Sequence, residues 1–225
     1  MYQTARLDLL GNAMAHPSRA RMLCTLMDGR AFTAKELAAA AGITAQTASA
    51  HLARLTHAGL ICATRSGRHS YHQITNADVA DALEQISTLT PAPPRSRAPK
   101  ELHHARTCYN HLAGHLAVAI TGALVDMGLL RHEDGRFATF PSPLWAELGV
   151  SLPRRPGKAA FARPCLDWTE RRTHIAGPMG IQMLAHFTGQ TWLTRQNRAA
   201  RGLVLTPKGR ANLARLLQLE DAALS

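Results

Sequence analysis

The sequence predicts a mainly α-helical chain with small β-hairpins, and three observations carry that expectation. Apolar residues recur at helical spacing through most of its 225 residues. Glycine-centred turns separate the periodic stretches, and extended segments flank several polar turns. A proline-rich stretch, Thr90 to Lys100, holds Pro91, Pro93, Pro94 and Pro99 and offers no apolar face. Prolines fix φ and remove backbone donors, so this stretch reads as an extended connector. The expected organisation is a unit at 1–89, a linker at 90–100 and a second unit at 101–225.

The elements of the first unit follow in order. Leu7, Leu10 and Met14 mark a first helix. Pro17 opens a second, with Ala20, Leu23 and Leu26 on one face and Gly29 after it. Thr33 followed by Glu36 is a capping box for a third helix over 34–41. Gly42 makes a turn, Thr44 caps a fourth helix to about Ala58, and Gly59 stops it. Leu60–Thr64 and His69–Ile74, separated by Arg65-Ser66-Gly67-Arg68, form a hairpin, and Asn76 starts a last helix to about Leu89. Two short helices joined by a glycine turn, then a hairpin with a basic tip, make a winged helix-turn-helix.

Composition narrows the partner. With 26 basic and 15 acidic residues the formal charge is +11, which favours polyanions, nucleic acid first. No uncharged apolar run is long enough for a membrane span, and no signal peptide is read at the N-terminus, so the expected location is the cytoplasm. Cys24, Cys62, Cys108 and Cys165 lie far apart with no CxxC pair, so reduced thiols are expected. Cys24 and Cys62 read as small core residues.

The fourth helix carries the DNA-binding expectation. Ala48, Leu52 and Leu55 form its apolar stripe, while Gln46, Thr47, Ser49 and Arg54 face the other way with no acid among them. Small polar groups let a helix backbone approach base edges in the major groove. Thr44 and His51 complete the candidate recognition set, and Arg65, Arg68 and His69 at the hairpin tip are placed for phosphates or the minor groove.

Residues 7–86 resemble the ArsR-type winged-helix repressors. The matching stretches are His16-Pro17-Ser18-Arg19, 33–43, Thr44–Leu52 ending in Ser49-Ala50-His51-Leu52, Ala58-Gly59-Leu60-Ile61, and Gly67-Arg68 through Tyr71. The resemblance implies a homodimer, with the first and last helices of the unit at the interface. It also implies one recognition helix in each half of an inverted-repeat, double-stranded operator. Ala45 and Ala50 stand where the family pattern commonly has Gln and His. The family's metal-binding cysteine box on the third helix is absent from Glu36–Gly42, and the thiol partner that a persulfide sensor would need near Leu89 is missing.

The second half reads as an internal repeat of two degenerate winged-helix copies. His111-Leu112-Ala113-Gly114 and His174-Ile175-Ala176-Gly177 each precede a helix, predicted over 117–130 and 180–193, then a basic turn, an extended piece and a further helix. A cysteine precedes each copy. Cys108, His111, Cys165, Trp168 and His174 are the candidate effector residues, at a pseudo-symmetric cleft. His104, Cys108, His111 and His115 are spaced as one helix face, and His104, Cys108 and His111 are the candidate metal ligands. A straight helix spreads the ends of that set about 16 Å apart, too far for one ion. An organic or thiol-reactive effector is therefore favoured over a metal.

The expected function is a sequence-specific transcriptional regulator, a dimeric repressor released by an effector at its C-terminal half. The alternatives are a metal-responsive repressor using Cys108 with histidines, and an architectural DNA-binding protein without effector. No cofactor is required on the main reading, and a transition metal enters only on the first alternative. No P-loop, GxGxxG or HExxH occurs, and a Cys108–His111 dyad shows no orienting carboxylate in the sequence, so an enzyme is not expected.

Overall fold

A computed structural model describes residues 6–89, 100–154, 160–195 and 201–224. The chain divides into two compact units, 1–83 and 84–225. The division falls inside a helix, before the predicted connector, whose residues 90–99 lie outside the described ones.

The first unit runs α1 (Leu7–Met14), α2 (Pro17–Leu26), β1 (Phe32–Thr33), α3 (Ala34–Ala41), α4 (Ala45–His57), β2 (Ile61–Ser66), β3 (His69–Ile74) and α5 (Ala77–Leu89). The capping chemistry works as read. Thr33 accepts from the Glu36 amide while Glu36 accepts from the Thr33 amide, and Gly42 ends α3 in the left-handed region at φ 66°. Thr44 caps α4 by accepting from Thr47 N–H at 3.2 Å. Met22, Leu26, Leu37, Ala48, Leu52, Leu55 and Ile74 form the buried core. One strand escaped the sequence reading: β1, two residues long, pairs antiparallel with β3 and makes the wing a three-stranded sheet of order β1-β3-β2. Two residues are too few for a period-2 signal.

The second unit contains two copies of one element order. The first is β4 (Arg106–Cys108), β5 (His111–Ala113), α7 (His115–Asp126), β6 (Leu130–Glu133), β7 (Arg136–Thr139) and α8 (Leu144–Glu147), preceded by the short α6 (Lys100–His104). The second is β8 (Arg163–Leu166), β9 (Thr173–Ala176), α9 (Gly177–Gly189), β10 (Leu193–Arg195), β11 (Leu203–Leu205) and α10 (Pro207–Leu217), followed by a 3-10 turn at Asp221–Leu224. Each copy opens with a hairpin absent from the sequence reading, where Cys108 and His111 are spaced as on one helix face. That single helix face does not exist: His104 ends α6, Cys108 and His111 pair across a tight hairpin, and His115 begins α7.

The two copies interlock. β5 packs on α9 and β9 packs on α7. At the edge of β4, Thr107 N–H donates to Arg201 O at 2.9 Å, just ahead of β11. At the edge of β7, Phe137 N–H donates to Ala162 O at 3.1 Å, just ahead of β8. One hydrophobic cluster joins both, with Leu116, Ile120 and Leu124 from α7 against Met179, Met183 and Phe187 from α9.

Candidate nucleic-acid interface and a buried thiol–imidazole cluster

Helix α4 sorts its residues by its own periodicity. Ala48, Leu52 and Leu55 are buried, and Thr44, Gln46, Thr47, Ser49 and Arg54 are exposed. Ser49 Oγ donates to Ala45 O at 2.9 Å, which leaves its lone pairs outward. Arg65, Arg68 and His69 are all exposed at the β2–β3 turn. No acidic residue occurs between Glu36 and Asp78, so nothing on α4 or the wing repels phosphate.

His51 does not belong with this set. It is 8 % exposed, because it lies one turn from Ala48 and one residue before Leu52, inside the buried arc. Its Nδ1 is 3.2 Å from Arg19 Nη1, and its ring stacks obliquely on His16 at 4.4 Å. Arg19 is itself 3 % exposed and donates to Asn12 O at 2.8 Å and to Ala13 O, so it ties α1 to α2 and α4. Burial lowers the His51 pKa, with His16, Arg19 and Arg54 acting in the same direction. The His51 imidazole is a neutral strut behind the recognition face.

The cysteines divide differently from the sequence reading. None of the four forms a disulfide. Cys24 is exposed on α2 and Cys62 is half-buried in β2, so neither is the buried core residue expected.

In the second unit, Cys108 on β4 faces His111 on β5, and Cys165 on β8 faces His174 on β9, as cross-strand pairs. The two hairpins bring one ligand atom of each of the four side chains within 4.8 Å of the others. His111 Nε2 and His174 Nε2 are 3.1 Å apart. Both thiols donate to Glu84 on α5, Cys165 to Oε2 at 2.8 Å and Cys108 to Oε1. His104 and His115 stand outside the group, the latter 3.3 Å from the Glu170 carboxylate. The Glu84 carboxylate is the contribution that the sequence reading missed.

A polar shell holds this cluster. Asp167 accepts from Arg106 Nη2 at 2.9 Å and from Gly114 N–H at 2.7 Å, and its Oδ2 lies 3.6 Å from His174 Nδ1. Arg106 is 1 % exposed, and its guanidinium lies 4.7 Å from the Trp168 ring centroid, so Trp168 covers the ion pair. Burial alone would raise the Asp167 pKa, but Arg106, Thr169 and the Gly114 amide hold it well below the carboxylate range. Burial lowers His174 to about 4 despite Asp167, and burial with His174 and nearby arginines keeps His111 neutral. Burial, Cys165 and Glu84 push the Cys108 thiol well up, against Arg201.

The His-x-Ala-Gly signature has a backbone cause. Gly114 turns the chain from β5 into α7 at φ 94° and ψ −175°, a region essentially reserved for glycine. An added Cβ would meet the carbonyl oxygens of His103 and His104 at 2.8 Å. Gly177 makes the corresponding turn from β9 into α9 at φ 78°.

The fold of the first unit and its acid-free outer face define a winged-helix DNA-binding protein. A helix-turn-helix domain family matches residues 14–61. Over 209 residues the chain is 38% identical to the uncharacterized HTH-type transcriptional regulator YdfF of Bacillus subtilis, covering 89% of this chain and 92% of that one. The HTH-type regulator CmtR of Mycobacterium tuberculosis is 38% identical over 77 residues, 34% of this chain and 64% of that one. The winged-helix domain of Mb0332 from Mycobacterium bovis, described as homodimeric and as a possible ArsR-family regulator, aligns at 31% identity and a TM-score of 0.35. It covers 40% of this chain and 88% of that chain. The chain belongs to the family of HTH-type transcriptional regulators. Among the described residues no helix is long and apolar enough to cross a membrane.

Proposed function

We propose that this regulator is a homodimeric, cytoplasmic repressor that reads an inverted-repeat operator with α4 and the wing, and that an effector held in the C-terminal unit releases it. The observation that carries the reading is the outward face of α4, where Gln46, Thr47, Ser49 and Arg54 are exposed beside an acid-free wing. Two such helices must sit about 34–36 Å apart to meet successive major grooves, so a change in dimer geometry suffices for release. Leu7 on α1 and Ile86 on α5 support the dimer: each is a large apolar side chain, 71% and 45% exposed respectively. A regulatory second unit fits the cluster, since its two imidazoles face each other and both thiols converge on one carboxylate, the inward arrangement of a binding site.

The test replaces Thr47 and Ser49 together by Glu. Carboxylates then face base acceptors and phosphates, and each lost base contact costs about 1–3 kcal/mol. Specific operator binding by the double variant should vanish while its circular dichroism and melting stay those of wild type. Unchanged operator affinity would remove α4 from the recognition role.

A further inference from the structure

We propose that Cys108, His111, Cys165 and His174 form a four-coordinate site for a divalent ion of the zinc class, and that Glu84 is the group displaced when the ion enters. The ligands come from two hairpins and not from one helix, so the length of a helix face sets no limit on how closely they meet. Two thiolates and two neutral imidazoles are a donor set suited to a tetrahedral d10 ion. Bonds of about 2.0–2.1 Å to nitrogen and about 2.3 Å to sulfur give tetrahedron edges of about 3.3–3.8 Å. The two Nε2 atoms already lie 3.1 Å apart and all four ligand atoms within 4.8 Å, so small side-chain rotations close the shell.

The surroundings match the donors. Asp167 lies behind His174 Nδ1, anchored by Arg106 and by the Gly114 amide, in the manner of carboxylates that orient metal-bound imidazoles. Four protein ligands leave no open position, which suits holding an ion rather than hydrolysis. A thiol-reactive effector fits less well. Reactive cysteines are accessible, whereas Cys108 is 3 % exposed.

The exchange balances simply. The entering M2+ forms two metal–sulfur and two metal–nitrogen bonds, and the two thiol protons leave to solvent. Glu84 thereby loses the two thiol protons that hold its carboxylate at the site, and it is released from the cluster. Glu84 lies on α5, the helix that begins in the winged-helix unit with Ala80 buried there. Displacing Glu84 therefore acts on the helix expected at the dimer interface. This regulatory step rests on the repressor reading above; ion binding does not.

Full-length protein, stripped with chelator, is titrated with Co2+ and then Zn2+. One Co2+ per chain should bring thiolate-to-cobalt charge-transfer and tetrahedral ligand-field bands, Zn2+ should bleach them, and about two protons should leave per ion. Cys108→Ser with Cys165→Ser should abolish the bands, while Cys24→Ser with Cys62→Ser should keep them. Wild type supplies a second readout if the first pair does not fold: Zn2+ should slow alkylation of Cys165 and leave Cys24 unchanged. No bands and no protection in wild type, or equal binding by the folded double variant, overturns the site. Zn2+ should also change operator affinity by about 5–150-fold, and Glu84→Gln should bind the ion yet respond less. Stoichiometric binding with unchanged operator affinity would keep the site and overturn the Glu84 switch, without touching the α4 assignment.

Discussion

At the scale of single residues, position within an arc decides role. Ser49 and His51 are two residues apart on α4, yet one is exposed and the other is fixed behind it by Arg19. Helical periodicity predicts this division, since His51 falls beside Leu52 and Leu55 on the buried side. Glycine gives the sharpest residue-level expectation. Gly114→Ala places a Cβ 2.8 Å from two carbonyl oxygens at φ 94°, and strain of this kind costs on the order of 1–3 kcal/mol before the clash is added. Gly11 in α1 has open space around its Cβ position, so Gly11→Ala should stabilise by about 0.5–1 kcal/mol. Urea denaturation of the two variants should move in opposite directions. A neutral Gly114→Ala would mean that the hairpin-to-helix turn is looser than its geometry.

At the scale of elements, the wing is the part whose contribution separates most cleanly from sequence reading by α4. Arg65 and Arg68 are exposed at the end of a ladder that pairs Ser66 with His69 and Ile61 with Ile74. Replacing both arginines by alanine removes the two charges proposed to meet phosphates and should weaken binding to all sequences alike. The slope of log affinity against log salt should flatten by about one to two units. A loss confined to the operator, with the slope intact, would show that the wing reads bases. The helices of the first unit were legible because each carries its own stop signals: Thr33 with Glu36, Gly42, Thr44 and Gly59. The hairpins at 106–113 and 163–176 were not. Their strands are three or four residues long, and Cys108, His111 and His115 match a helical spacing by coincidence. The doubled cysteine and His-x-Ala-Gly pattern did mark where the cluster lies. What placed its ligands on facing strands is pairing between distant segments, which local periodicity does not encode.

At the scale of the whole molecule, the interlocking of the two copies predicts how the chain comes apart. The first hairpin packs on α9, the second on α7, and the edges of β4 and β7 bond to segments of the opposite copy. The shared core draws Leu116, Ile120 and Trp145 from one copy and Met183, Phe187 and Trp192 from the other. Neither copy alone can cover that surface, because each apolar face is closed by the other. The first unit has a separate core and lies in its own compact region, so its folding does not require the second. A fragment ending at residue 154 should therefore show one cooperative melting transition, that of a fragment ending at residue 89. Its remaining segment should bind hydrophobic dye and exchange amide hydrogens freely, because α7 has lost α9 and β9. The full chain should add a second transition, and supplying the missing copy in trans should restore it. A distinct, cooperative transition from residues 100–154 alone would show that the copies are independent modules. A site assembled from one thiol and one imidazole of each copy would then have to form by docking rather than by folding.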